Sequence, residues 1–184
     1  MQAQQDRRAK RTRAALVEAF NQLVLRGRPR NIRVADIVAE AGVGRSTFYD
    51  HYSGAEAIHV DALARPFGPL AEAATGDGEP ERLARLLAHF WEYRARARAT
   101  LAPPMGAKAA RLLADLVEAR LAERGTETAI PRRLAAVQLA DSAIAPVRAW
   151  LMAEAPCTAE TLAESLCRSG RQLAMALDSP SKAD

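Results

Sequence analysis

Five polar side chains lie close together in the sequence of this 184-residue chain, and all of them can bind a polyanion. They are Arg45, Ser46, Thr47, Tyr49 and His51. A guanidinium can form two parallel hydrogen bonds with the edge of a guanine, and hydroxyl and imidazole groups can donate to phosphate oxygens. A helix that carries such groups fits the major groove of DNA. DNA recognition is therefore the first chemistry to consider.

The residues around this set predict a helix-turn-helix. Apolar residues at helical spacing indicate a first helix over residues 34–40, and these are Val34, Ile37, Val38 and Ala41. Gly42 supplies a backbone that can turn sharply, and a second helix is predicted over residues 45–52. Phe48 and Tyr52, together with Val43 before them, are expected to form its buried side.

Further helices are predicted on both sides of this unit. A buried stripe of Leu16, Ala19, Phe20, Leu23 and Val24 predicts a helix over residues 11–25. Gly27 is expected to end that helix, and Pro29 prevents its continuation. After Gly54, another helix is expected to begin near Ala55.

Residues 11–63 resemble the DNA-binding domain of the tetracycline-repressor (TetR) family of bacterial regulators. The likeness rests on the order of the elements and not on one short pattern. The sequence RTRAALVEAFNQLVLRG is followed by IRVADIVAEAGVGRSTFYDHY and then by the helix from Ala55. The resemblance implies an all-α protein with an N-terminal helix-turn-helix domain and a C-terminal helical domain for ligand binding and dimerisation.

By position in the family motif, Arg45 and Ser46 are expected to reach base edges. Thr47, Tyr49 and His51 are expected to hold phosphates, and Tyr49 could also touch a base. A homodimer would place two copies of this helix about 34 Å apart, which is one turn of DNA. The expected partner is therefore double-stranded DNA with a near-palindromic operator.

Additional phosphate contacts are expected from Arg33 and from a group of residues that we call the basic arm, although simple solvation is an equal alternative for each. The basic arm consists of Arg7, Arg8, Lys10, Arg11 and Arg13. The chain departs from the family pattern at Gly44, where a Ser often caps the helix, and at Val38, where a small Ala is common. Ala55 replaces a phosphate-binding Lys of many members, which makes Arg33 a candidate substitute.

The distribution of charge agrees with this interpretation. Residues 1–60 contain ten Lys and Arg and six Asp and Glu, a net charge of +4, whereas residues 61–184 contain sixteen of each. The whole net charge therefore lies in the first third, as expected if that part meets a polyanion. Basic N-terminal tails are also common as solvated segments, so charge alone would not indicate DNA.

The remainder of the chain predicts long amphipathic helices, giving about nine helices in all, with domains at residues 1–60 and 61–184. A loop with two glycines and a proline is expected over residues 75–80. Helices are predicted over residues 80–96, 105–124, 131–154 and 158–177, the last capped by Thr158. No segment shows sustained alternation of apolar and polar residues, so no β-sheet is expected.

The last two predicted helices form an apolar hairpin. Its residues are Leu134, Val137, Ile144, Val147, Trp150 and Leu151 on one helix, and Leu162, Leu166, Gly170, Leu173 and Leu177 on the other. Gly170 would allow a facing helix to approach closely. Two such hairpins could form a four-helix bundle in a homodimer, as the resemblance implies, or the same faces could complete the core of one chain.

The resemblance also implies a pocket for a small-molecule effector, whose binding releases the protein from DNA. Candidate lining residues are Phe67, Phe90, Trp91, Met105 and Trp150, although core packing is the simpler explanation for each of them. Polar residues on the same helices could orient a ligand, and they are His89, Tyr93, Gln138, Asp141 and Arg148. The sequence does not identify the effector.

Other classes of protein are poorly supported. His51, His59 and His89 lack the spacing of a helical metal site, and no Cys-x-x-Cys pair, Gly-rich phosphate loop or nucleophile elbow is present. We expect no enzyme, metal or cofactor. No apolar run reaches the ~18 residues of a membrane span, and neither a membrane nor a secretory signal is expected. A redox role for Cys157, just before a helix start, is conceivable.

The sequence therefore predicts a cytoplasmic, ligand-responsive regulator that binds DNA as a homodimer, with repression as the expected mode of control. Activation of transcription is an alternative. A second alternative is a helical protein-interaction module that has lost DNA binding, which the missing Lys at Ala55 permits and the charge distribution opposes. Neither the operator nor the regulated genes can be deduced from these residues.

Overall fold

The structure is a computed structural model that describes residues 2–26 and 32–178. Within these ranges the chain forms ten α-helices, and the only β-type contact described is an isolated bridge between Thr128 and Asp178. The predicted all-α fold is confirmed. The helices divide into two compact units, Met1–Leu63 and Ala64–Asp184. The boundary predicted after residue 60 falls within a helix, and the compact first unit continues to Leu63.

The first unit has four helices around one small core. They are α1 (Gln2–Leu25), α2 (Val34–Ala41), α3 (Arg45–Tyr49) and α4 (Ala55–Ala62). The core is formed by Leu16, Ala19, Phe20, Ile37, Phe48, Tyr52 and Ile58, all of them nearly inaccessible to solvent. Each helix contributes a residue from its apolar stripe, as the helical spacing predicts. Packing in this core holds the short helix α3, which has too few turns to be stable alone.

Two helix boundaries in the first unit differ from the prediction. Helix α1 begins at Gln2 and not at Arg11, so the basic arm belongs to a helix. Helix α3 ends at Tyr49, because the His51 N–H turns back to the carbonyl of Phe48, three residues earlier. The expected helix end at Gly27 and Pro29 lies outside the described residues.

The second unit contains the six remaining helices. They are α5 (Ala64–Ala74), α6 (Pro80–Glu92), α7 (Arg94–Leu101), α8 (Met105–Glu123), α9 (Arg132–Leu151) and α10 (Ala159–Leu177). Helix α8 packs along α9, and α10 packs on α5 and α6. The loop predicted over residues 75–80 separates α5 from α6. Thr158 caps α10, because its Oγ1 accepts a hydrogen bond from the Thr161 N–H at 3.2 Å.

At two points one helix follows another with a single residue between them. The first break is at Leu63, because Pro66 lacks the N–H that would bond to the carbonyl of Ala62. The second break is at Tyr93, so the prediction of one helix over residues 80–96 is wrong at that point. No Gly or Pro in the sequence indicates this break. The Tyr93 ring lies 4.8 Å from the His89 ring, and the Arg96 guanidinium lies 5.5 Å from its centre. These contacts accompany the break, and the apolar spacing of α6 also ends at Trp91, because residues 92–96 are Glu, Tyr, Arg, Ala and Arg.

Most of the apolar hairpin predicted for the last two helices is buried within this chain. Only Leu134 and Val137 on α9 are exposed among its large residues, and Met175 on α10 adds a third exposed apolar side chain. Gly170 does allow a close approach, but the facing helix is α5 of the same chain. Among the described residues, no helix is long and apolar enough to cross a membrane.

Candidate nucleic-acid interface

The turn between α2 and α3 depends on the backbone of Gly42. Its φ of 65° and ψ of 31° lie in the left-handed region, which a residue without a side chain adopts most easily. The N–H of Val43 then bonds back to the carbonyl of Val38 at 3.1 Å, which closes the end of α2. The prediction that Gly42 makes the turn is confirmed. Helix α3 begins two residues later, after Gly44.

Helix α3 has one buried side and one exposed side. Phe48 is fully buried, and its ring lies 5.7 Å from the ring of Tyr52, which is also buried. The opposite side presents Arg45, Ser46 and Tyr49 to solvent. The Tyr49 side chain is 58% exposed, and its ring packs edge-on against Phe48 at 5.5 Å. The buried phenylalanine therefore fixes the direction in which the exposed side of α3 points.

The other residues predicted to touch DNA are less exposed or already paired. Thr47 and His51 are half-buried at the margin of the exposed side. The backbone N–H of Arg33 donates to Asp36 Oδ2 at 3.0 Å, and Arg33 Nε donates to the same oxygen at 3.4 Å. Because the Arg33 side chain is 80% exposed, this ion pair is weak and can be exchanged for a phosphate. Ala55, the first residue of α4, brings no cation to this surface.

Arg13 of the basic arm is held by a carboxylate. Its Nε and Nη2 donate to the two oxygens of Asp61, at 2.8 and 2.9 Å, in a bidentate pair that joins α1 to α4. The Tyr52 hydroxyl donates to the same carboxylate, and the Arg13 guanidinium lies 5.6 Å from the centre of the Tyr52 ring. We call Arg13, Tyr52 and Asp61 the polar triad. The prediction of Arg13 as a free phosphate contact did not include this pairing.

The polar triad shifts the acid-base equilibria of its members. Burial alone would raise the pKa of Asp61, but the hydrogen bonds from Arg13 and Tyr52 outweigh it and lower the pKa below the ordinary value. Burial raises the pKa of Tyr52, and its hydrogen bond to Asp61 raises it further. Both groups therefore keep one charge state at neutral pH: Asp61 is ionised and Tyr52 is a neutral donor.

The remaining basic arm residues lie on the surface of α1. Arg7, Arg8, Lys10 and Arg11 are all exposed, on a helix that continues into the core stripe at Leu16. They form a row of cations fixed to the first unit and not a loose tail. Their charge raises the electrostatic potential of the same unit that carries the exposed side of α3.

In the second unit, the predicted ligand residues are buried to different degrees. Phe67 and Trp150 are buried, Phe90 and Met105 are half-buried, and Trp91 is 38% exposed. The Trp91 and Trp150 rings lie 4.7 Å apart, and Trp150 Nε1 donates to the carbonyl of Cys157 at 2.9 Å. These contacts are those of a packed core.

A cavity of about 270 Å³ lies elsewhere in the second unit, between the end of α7, the start of α8 and the second half of α9. Its lining residues are Leu101, Gly106, Ala110, Asp141, Ile144, Ala145 and Arg148. Asp141 and Arg148, which the sequence suggested as polar ligand contacts, are both in this set. Their seven-residue spacing separates the two charges by about 10 Å along α9, with Ile144 and Ala145 between them.

The described part of the chain contains no group of three or more His, Cys, Asp and Glu residues that could hold a metal ion. Cys157 is exposed and Cys167 is buried. Burial raises the pKa of the Cys167 thiol, which makes that side chain a poor nucleophile.

Comparison with solved structures identifies the fold. The TetR family repressor AlkX from Dietzia sp. strain DQ12-45-1b, implicated in biodegradation of n-alkanes, is similar over 91% of this chain and 98% of its own, with 19% identity and a TM-score of 0.50. A TetR transcriptional regulator from Streptococcus agalactiae 2603V has 27% identity over 92% of this chain and 99% of its own, with a TM-score of 0.46. Thermus thermophilus FadR, a TetR family repressor solved with lauroyl-CoA, has 22% identity over 94% of this chain and 98% of its own, with a TM-score of 0.49.

The chain therefore has the fold of the TetR-family transcriptional regulators. No protein-family model matches the sequence, and no similar sequence was found among curated proteins.

Proposed function

We propose that this protein is a DNA-binding transcriptional regulator that reads its operator with α3. The observation that carries the proposal is the two-sided character of α3, in which buried Phe48 supports an exposed row of Arg45, Ser46 and Tyr49. The fold and the positive charge of residues 1–60 support the same function.

Individual roles follow from residue chemistry and exposure. Arg45 is the residue that reads a base edge, because it is exposed at the first position of α3 and a guanidinium pairs with guanine. Ser46 supplies a second base contact. Tyr49, Thr47 and His51 bind phosphates at the margin of the groove, where their hydrogen bonds set the register of α3 and carry little sequence information.

We propose that Arg33 and the exposed basic arm bind phosphates on either side of this groove. Arg33 gives up its weak pair with Asp36 when a phosphate replaces that carboxylate. The basic arm lies along α1, so its four exposed cations contribute mainly through long-range attraction.

The operator is proposed to be a near-palindrome bound by a homodimer, with α9 and α10 forming the interface between subunits. Leu134 and Val137 on α9 and Met175 on α10 support this interface, because large apolar side chains on the last two helices are otherwise left in water. A twofold axis would make each patch meet its own copy. Such a regulator would work in the cytoplasm, where chromosomal DNA is accessible.

The second unit is proposed to bind a small effector that lowers affinity for DNA, which makes the protein a repressor released by its ligand. The cavity beside Asp141 and Arg148 is a site with two opposite charges and an apolar middle, and it adds to the predicted aromatic set around Trp91 and Trp150. Neither side chain has an ion-pair partner among the described residues. Activation in place of repression would use the same DNA contacts.

A salt titration tests the DNA-binding proposal directly. The full chain is mixed with labelled random-sequence duplex DNA, and the dissociation constant is measured between low and physiological salt. A dimer that neutralises several phosphates should lose affinity steeply, with the logarithm of the association constant falling linearly against the logarithm of salt. Selection of bound duplexes from a random pool should then yield a near-palindrome.

The alternative of a protein-interaction module that has lost DNA binding gives the opposite result. Such a protein would show no salt-dependent retention of duplex DNA and would select no sequence. Arg111→Ala is a suitable control variant for the titration, because Arg111 is an exposed cation on α8 in the second unit. Its removal should leave the salt dependence unchanged if the first unit binds DNA.

A further inference from the structure

The polar triad places one carboxylate at the junction of three parts of the first unit. Arg13 lies in α1, Tyr52 lies just after α3, and Asp61 lies in the last turn of α4. Asp61 accepts both hydrogen bonds from Arg13 and also the hydrogen bond from the Tyr52 hydroxyl.

The polar triad reaches α3 through its aromatic neighbour. The Tyr52 ring packs 5.7 Å from the Phe48 ring, and Phe48 is the residue that fixes the buried side of α3. When Asp61 holds the Tyr52 hydroxyl, it therefore limits how far the Phe48 side of α3 can rotate. Asp61 itself is on α4 and is remote in sequence from the exposed row of α3.

The same carboxylate also changes the charge that DNA would meet. Arg13 is 57% exposed along its side chain and belongs to the basic arm, yet Asp61 neutralises it with a bidentate pair. Without Asp61, the first unit would offer one more cation to any duplex, whatever its sequence.

We infer that Asp61 is a positioning residue for the DNA-reading helix and a mask for the charge of Arg13, so that it favours discrimination between sequences over non-specific attraction. This inference rests on the proposed DNA binding. Its mark is that loss of Asp61 weakens binding to the preferred sequence but does not weaken binding to a scrambled one. A residue that only stabilised the fold would weaken binding to every duplex in the same proportion.

The test compares Asp61→Asn with the wild type on a duplex that the wild type has selected and on a scrambled version of it. Asparagine keeps the shape but loses the charge, so Arg13 is released. The scrambled duplex should be bound as tightly or more tightly at low salt, with a salt slope steeper by up to ~0.9 per subunit for the released cation. The ratio of affinities for the two duplexes should fall by about fivefold or more, the effect of at least one mismatched base pair.

Glu40→Gln is the matched control, because it also releases an arginine in the first unit. Glu40 accepts a bidentate pair from Arg26, at 2.7 and 3.1 Å, but it holds neither Tyr52 nor α4. This variant should steepen the salt slope to a similar extent and leave the affinity ratio unchanged. Arg13→Met in the Asp61→Asn background should remove the added slope while the loss of discrimination remains.

Equal weakening of both duplexes by Asp61→Asn, with an unchanged salt slope, would overturn the inference and leave Asp61 a structural residue. An unchanged ratio and slope would overturn it as well. Hydrogen exchange in the absence of DNA separates this failure from failure of the proposed function. The amides of residues 45–52 should exchange faster in Asp61→Asn than in the wild type or Glu40→Gln, and equal exchange would contradict the positioning role even if no DNA were bound.

Discussion

Gly170 in α10 lies so close to Ala73 in α5 that a Cβ at position 170 would be 2.0 Å from the Ala73 carbonyl oxygen. The nearest atoms belong to the backbone, so neither helix can yield by moving a side chain. This contact sets the spacing between α5 and α10. It also shows why a small residue on the predicted hairpin was not evidence for contact with a second subunit.

Replacement of Gly170 by alanine should destabilise the second unit strongly. Because the added methyl group overlaps backbone atoms, α10 must shift away from α5, and we expect a loss of about 2 to 3 kcal/mol in the free energy of unfolding. Denaturant unfolding followed by tryptophan fluorescence measures this, because both tryptophans lie in the second unit. Gly125→Ala is a useful comparison, because its Cβ would meet nothing and only its positive φ is strained. A loss no larger than that of Gly125→Ala would contradict the packing argument.

Replacement of Arg45 by alanine should relax recognition at one operator position. A bidentate pair between arginine and guanine contributes about 1 to 3 kcal/mol of discrimination, so affinity for the selected duplex should fall by roughly tenfold or more. Affinity for scrambled DNA should change much less. A competition assay with single-base variants of the operator identifies the position. Equal weakening on all sequences would make Arg45 a phosphate contact.

Replacement of Gly44 by serine should stabilise α3. Gly44 is the N-cap residue, with a φ of −75° and a ψ of 155°, and no side chain caps the helix at present. A Cβ there would meet only Ser46 Oγ at 3.7 Å and Thr47 Oγ1 at 3.9 Å, which are ordinary contacts. A serine oxygen could accept a hydrogen bond from the second or third N–H of α3, for a gain of about 0.5 kcal/mol.

The Gly44→Ala variant is the control. Alanine restricts the unfolded backbone as serine does, but it has no side-chain oxygen that could cap the helix. Hydrogen exchange of the α3 amides should slow more in Gly44→Ser than in Gly44→Ala. If both variants slowed exchange equally, the serine would not act as a cap.

Acid should loosen the polar triad. Because the hydrogen bonds lower the pKa of Asp61, the folded first unit binds fewer protons than the unfolded chain. The stabilisation is thus fully present above the ordinary Asp pKa of about 3.9 and is lost as the pH falls through the lower folded value. We expect a contribution of about 1.5 kcal/mol, as for hydrogen bonds to a charged group.

Hydrogen exchange of α1 and α4 amides between neutral pH and about pH 3 measures this dependence, with Asp61→Asn compared at each pH. The difference between the two proteins should shrink as the pH falls. A difference that stayed constant across this range would show that the Asp61 charge does not stabilise the first unit.

Local spacing was sufficient to predict much of the first unit. Helical periodicity predicted the buried stripe with Leu16 and Phe20 and the buried position of Phe48. Gly42 was predicted at the turn because a sharp turn after a helix favours a residue that adopts a left-handed backbone conformation. These features involve residues within a few positions of each other. Periodicity also distinguished the exposed row of α3 from its buried side.

Contacts between distant residues could not be predicted in the same way. Arg13 and Asp61 are 48 residues apart, so no local pattern indicates that the arginine is neutralised. Gly170 was expected to meet another helix, but only the arrangement of α5 shows which one.

The contact between Trp91 and Trp150 gives the protein an intrinsic fluorescence signal. They are the chain's only two tryptophans, and their rings lie 4.7 Å apart in the second unit. Fluorescence excited at the red edge of the indole absorption therefore reports on that unit alone. The first unit contains tyrosines but no tryptophan, so it does not contribute to this emission. A quencher or an effector that reaches the half-exposed Trp91 should alter this emission without any attached dye.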